Sequence, residues 1–249
     1  MICRNASPPV TTPARRSTRI KVLGVAISAE SRGNVNRALN ARQIWLISLV
    51  VCAAAAVISF KYLDMPIARR LSGILGELEA VGAGLGSAVL LSLEAAIAIT
   101  LIAARLVRGH LSPLNKTLAL ACLTSMCAFA VNDSVLKLFF GIPNPWDVLF
   151  EGAHHTFHFL AGSRESSFPS GHMILAGSFG GVFMKLYPGS RWPLSILLFI
   201  GAALLIVGDW HFVSDVIAGT FAGVSAGLLA GELWRTHLKE AKTAPWVLS

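Results

Sequence analysis

The chain has 249 residues, of which 54% are hydrophobic and only 14% charged, with a mean hydropathy of +0.65. Soluble domains carry about 25% charged residues, so this balance excludes a water-soluble globular domain and disorder throughout, and four cysteines cannot staple a chain of this length. The net charge of +8 and pI near 9.8 would suit a nucleic-acid binder, but that reading depends on where the charges fall.

Residues 1 to 42 hold eight of the 21 basic groups (Arg4, Arg15, Arg16, Arg19, Lys21, Arg32, Arg37, Arg42) against one acid, Glu30. Rich in Ser, Pro, Thr and Arg and without apolar periodicity, this stretch reads as a disordered basic tail, too long for the n-region of a signal peptide. A membrane domain is expected over 43–236, followed by a short tail, 237–249. Its apolar runs are Ile44 to Phe60, Val81 to Ala104 (interrupted by Glu94), Leu118 to Leu136, Met173 to Leu186, Leu194 to Val207 and Val216 to Trp234. Six spans of about 20 residues fit the length. Between the first two, Asp64 to Glu79 has the mixed pattern of a short interfacial helix. The expected fold is therefore an all-α integral membrane protein, a six-helix bundle.

With the basic tail in the cytoplasm, inner segments collect sixteen Lys and Arg and outer segments five: Lys61, Arg69, Arg70, Lys137 and Arg164. This asymmetry predicts both termini inside and the segment from Lys137 to Ser170 outside. The basic pI then reports topology, and no nucleic-acid partner is expected. Glu94, in mid-span, must face the bundle interior or find a partner.

Three polar groups stand at the outer ends of spans three, four and six, where an ionisable residue is a functional candidate. They are Lys137 to Pro145, Pro169-Ser170-Gly171-His172, and Asp209 to Asp215. Pro169 and the small residues after it read as a helix start, with proline in the first turn and the N–H groups of Ser170, Gly171 and His172 free for an anion. His211 and Asp215 are four apart, the relation in which a carboxylate fixes a histidine tautomer and frees the far nitrogen to attack. Ser214 and Asp215 are equally ordinary capping residues. The run His154-His155-x2-His158 has zinc-ligand residue types, but it reads as an aromatic and histidine-rich interfacial loop, and no metal or other cofactor is expected. Trp146, Trp192, Trp210 and Trp234 read as interfacial belt residues.

The order and spacing of these groups resemble the type 2 phosphatidic acid phosphatase (PAP2) superfamily, whose pattern is Lys-x6-Arg-Pro, Pro-Ser-Gly-His and Ser-Arg-x5-His-x3-Asp on six spans. The likeness covers roughly residues 64 to 234. It implies an active site at the outer face and transfer of a phosphoryl group through a phosphohistidine. His211 would be the nucleophile, Asp215 its orienter and His172 the acid for the leaving oxygen, with Lys137, Ser170 and Gly171 holding phosphoryl oxygens. The substrate implied is a lipid phosphate or diphosphate: phosphatidate, phosphatidylglycerol phosphate, undecaprenyl diphosphate or a lipid A phosphate. The setting is a bacterial inner membrane with a periplasmic site.

Two arginines of the pattern are absent: Asn144 and Leu204-Leu205 stand in their places, and neither residue type can clamp phosphate bidentately. Arg164, five residues before Pro169, is the candidate substitute. Alternatives are a phosphotransferase with a lipid acceptor, a degenerate binder of lipid head groups, and a small transporter using Glu94, Asn132 and Asp133.

Overall fold

The computed structural model describes residues 40–74 and 78–243, with side chains at 40–74 and 86–238. The predicted basic tail, up to residue 39, lies outside the described residues. Contacts divide the chain into Met1–Ile44 and a compact unit, Trp45–Ser249. Among the described residues all regular structure is helical: α1 (Ala41–Tyr62), α2 (Asp64–Leu71), α3 (Leu78–Arg108), α4 (Pro113–Val131), α5 (Lys137–Phe140), α6 (Pro145–Phe150), α7 (Gly171–Leu186), α8 (Arg191–Val207) and α9 (Val213–Thr243).

Among the described residues five stretches are long and apolar enough to cross a membrane: Ala41–Tyr62, Gly86–Arg108, Pro113–Phe150, Pro188–Val207 and Val213–Leu238. The fourth predicted run does form a helix, α7, but its 16 residues fall short of a span by themselves. Apolar side chains cover the outward faces: Val50, Val57, Ile99, Leu106 and Phe199 are all exposed. In water such a surface would be an aggregation liability, and in lipid it is the solvated face.

α7 sits at the centre, packed chiefly on α9 and also on α4, α3 and α8. Its burial follows from composition, because Gly177 and Gly181 remove side chains where α9 approaches. α9 answers with its own glycines at four-residue spacing. A Cβ on Gly223 would lie 2.8 Å from the carbonyl oxygens of both Met173 and Ile174, and one on Gly227 would lie 2.2 Å from that of Ser178. Such small-residue stripes let backbones touch where no hydrophobic effect drives helices together. At the Lys185 end of α7, Lys185 pairs with Glu232 at 2.6 Å, and Glu232 also takes Arg235 at 2.8 Å.

Glu94 finds its partner within the bundle, as its position in a span requires. It is buried on α3, and Ser125 Oγ on α4 lies 3.0 Å from its Oε1 and 3.0 Å from the carbonyl of Leu175 on α7. Ser112 caps α4 by accepting the N–H of Asn115 at 3.2 Å, with Pro113 in the first turn.

Candidate active site

The first polar group is set by a local change of helical pitch. α4 does not end at Val131 but widens into a π turn over Asn132–Leu136 and closes as α5. Buried Asn132 donates from Nδ2 to the Pro169 carbonyl at 3.3 Å, tying this turn to the start of α7. Gly141, at φ 61, ends α5 in the left-handed conformation that glycine adopts without strain. The carbonyls that α5 leaves open are taken by the following loop. The N–H groups of His158, Leu160 and Gly162 donate to Phe140, Phe139 and Leu138, and a Cβ on Gly162 would meet the Lys137 carbonyl at 2.2 Å.

That docking brings Arg164 beside Lys137. Lys137 Nζ donates to the Arg164 carbonyl at 2.8 Å and lies 3.6 Å from Asp133 Oδ1, while Arg164 Nε lies 3.6 Å from Asp133 Oδ2. One carboxylate therefore stands between two cations. The Arg164 side chain is 77% exposed, at the mouth of the site.

The second group starts α7 one step later than the sequence suggests. Ser170, not Pro169, is at the boundary, and its Oγ accepts the N–H of Met173 at 3.4 Å. Its own N–H donates to the Asp215 carbonyl at 3.1 Å. Ser170 is thus fully buried and joins two helix starts, while Gly171 and His172 face the cavity.

The third group folds around the first turn of α9. Asp215 Oδ2 accepts the N–H of Phe212 at 2.8 Å, one half of a capping box, and lies 3.5 Å from His211 Nδ1. The capping and orienting roles of Asp215 therefore coincide in one oxygen. Ser167 completes the link: its hydroxyl donates to Asp215 Oδ2 and stands 3.3 Å from His211 Nδ1. With that hydroxyl hydrogen committed to Asp215, the serine oxygen accepts a proton held on Nδ1, which leaves the lone pair on Nε2. Nε2 faces His172 Nδ1 at 3.2 Å.

These side chains surround a cavity of about 410 Å³, lined among others by Phe129, Asp133, Lys137, Asn144, Trp146, Arg164, Ser167, Gly171, His172, Asp209, Trp210 and His211. His172 stands at the head of α7, above the apolar stretch that begins at Met173. Its Nε2 is turned toward α3, where a Cβ on Gly86 would come within 2.9 Å.

Of the residues singled out from sequence, Lys137, Asn144, Arg164, Gly171, His172 and His211 line the cavity, and Asp215 lies directly behind His211. Asn144 caps α6, accepting the N–H of Asp147 at 2.9 Å and donating to its Oδ2 at 2.8 Å. The Leu204-Leu205 pair has a different task. Leu205 packs against Met173 and Val216 in the core, and its carbonyl accepts the N–H groups of Trp210 and His211.

The three loop histidines diverge: His158 Nδ1 contacts the Gly141 carbonyl at 3.1 Å, and His155 stacks on Phe60. Among the described residues no cluster of His, Cys, Asp or Glu is placed to hold a metal ion. Trp146 and Trp210, read from sequence as belt residues, instead line the cavity, and Trp210 stacks on His172 with ring centroids 6.3 Å apart. Sequence reasoning missed Ser167, whose only signal is its place two residues before Pro169. It also passed over Asp209 as a cavity residue; its φ of 51 marks the sharp turn that delivers His211.

Residues 118–238 match the family model described as PAP2 superfamily. No curated protein and no solved structure matches the chain.

Proposed function

Because its region 118–238 belongs to the PAP2 superfamily, whose members act as phosphatases on phosphate esters, we propose that this chain is a membrane phosphatase that hydrolyses a lipid phosphate through a phosphohistidine on His211. The observation that carries the reading is the alignment of one imidazole. His211 is 7% exposed, is held at Nδ1 by Ser167 and Asp215, and presents Nε2 to the cavity beside His172.

The reaction follows from that arrangement. Nε2 of His211 attacks phosphorus as the ester P–O bond breaks. His172 hands its proton to the departing lipid oxygen. The negative charge of a bound phosphate favours the protonated imidazole that His172 needs for this step. Water then attacks phosphorus, the P–N bond breaks, His172 takes up the water proton and phosphate leaves. Lys137 and the N–H of Gly171, in the first turn of α7, receive the phosphoryl oxygens. Arg164 supplies the guanidinium that Asn144 and Leu205 do not.

In this reading α7 is the sixth crossing, completed at its outer end by the loop around Pro169. Both termini are cytoplasmic, the cavity opens on the opposite, periplasmic face of a bacterial inner membrane, and no metal takes part. The lipid character of the substrate is supported by the exposed apolar faces around the site, which let an acyl or prenyl chain stay in the bilayer.

The test is phosphate release by the purified protein in detergent from phosphatidate, phosphatidylglycerol phosphate, undecaprenyl diphosphate and a lipid A phosphate. The His211→Ala variant is expected to lose release by at least about 10³-fold. Release that survives this substitution unchanged would sink the mechanism.

A further inference from the structure

Asp64 opens α2 and lies outside the region matched to the family. It is nonetheless among the most buried acidic or basic residues of those described, 1% exposed. A carboxylate so placed needs strong partners, and its partners come from 150 residues away. Its Oδ1 accepts the N–H of Ser214 at 3.0 Å, and its Oδ2 accepts the Ser214 hydroxyl at 2.5 Å. Asp64 thereby caps α9 from a different helix, at the end where the helix dipole favours negative charge. On its other side His155 Nε2 lies 3.5 Å from Oδ2, and the His155 ring stacks on Phe60 and meets Phe212 at a tilt, with both centroids 4.3 Å away.

Every partner of Asp64 thus touches the segment that carries the nucleophile. Ser214 precedes Asp215, and Phe212 follows His211. Phe212 is also the residue whose N–H binds Asp215 Oδ2. The groups proposed to bind phosphate, Lys137, Arg164 and Gly171, sit on other elements.

We infer that Asp64 is a positioning residue for the nucleophile: with His155 it fixes the first turn of α9, and through Ser214 it sets His211 against Ser167 and His172. This inference rests on the proposed function, and the experiment below separates the two. In Asp64→Ala the turn loses its external cap, and displacement of a nucleophile by about 1 Å is enough to cost 10²-fold in rate. The variant is expected to lower kcat at least about 10-fold and to leave KM within about 2-fold, since phosphate contacts are unchanged. Asp64→Asn keeps an oxygen for the Ser214 N–H and should recover kcat to within about 3-fold of wild type.

A second readout is independent of turnover: the ring ¹⁵N signals of His211 in protein labelled at histidine, assigned with His211→Ala. They should move in Asp64→Ala and return in Asp64→Asn. If Asp64→Ala does not fold, Ser214→Ala, which removes only the hydroxyl contact, is expected to shift the same signals and lower kcat about 2- to 3-fold. Wild-type kcat and wild-type His211 signals in Asp64→Ala, or in Ser214→Ala should that stand in for it, would overturn the inference. So would a loss in Asp64→Ala that Asp64→Asn fails to restore. If His211→Ala releases phosphate like wild type, the proposed function fails, and the His211 signals still decide whether Asp64 positions that ring.

Discussion

Ser167 shows how much of the site depends on a side chain with no chemistry of its own. It is buried, donates to Asp215 and supports His211 Nδ1. Ser167→Ala leaves a buried carboxylate short of one donor, at a cost of about 1–3 kcal/mol, so kcat should fall roughly 10-fold while KM changes little. Steady-state kinetics on the preferred lipid phosphate would check this. Arg164 makes the opposite prediction. Its guanidinium is exposed and, in the proposed reaction, acts on bound phosphate, so Arg164→Ala should raise KM about 10-fold, and Arg164→Lys, which keeps the charge but not the fork, should fall between. An unchanged KM in both variants would mean that the absent arginines have no substitute here. The proximity of His172, His211 and Asp215 was legible in the sequence because each stands at or just before a helix start, where the fold brings them together. Ser167 was not, because a serine before Phe168-Pro169 looks like any loop serine until the fold brings α9 beside it.

At the scale of elements, the site stands where α7 and α9 begin, and these two helices are locked by glycine. Gly227 faces the Ser178 carbonyl so closely that any side chain must push the helices apart. Gly227→Val is expected to destabilise the bundle by about 1–3 kcal/mol, read as a lower Tm by fluorescence-detected unfolding in detergent. The same separation moves Ser170 away from Asp215, so activity should fall faster than stability. The helices were legible as apolar runs, and their polar ends as cap sequences. The number of spans was harder to read. Hydropathy counts Met173 to Leu186 as an apolar run, but the 16 residues of α7 are too few for a crossing by themselves, so the proposed sixth span needs the loop around Pro169 to complete it. The π turn at Asn132–Leu136 left no pattern at all, since it inserts into a helix that is apolar on both sides of it.

Along the whole chain the basic residues are unevenly distributed. The proposed orientation, with sixteen basic residues inside and five outside, predicts that a periplasm-active reporter fused in the loop after Phe150 is active and one fused after Thr243 is silent. The reverse pattern would put the cavity on the cytoplasmic face. Composition suggested this orientation at once, because a scarcity of charge leaves few residues to distribute. It could not show that Asp133 stands between Lys137 and Arg164. The consequence concerns selectivity. If the chain acts on a lipid phosphate as proposed, cations that already share an internal counter-ion bind free phosphate weakly, and discrimination passes to the hydrocarbon chain: the bilayer raises the local concentration of the substrate, and the pocket recognises what the membrane brings to it.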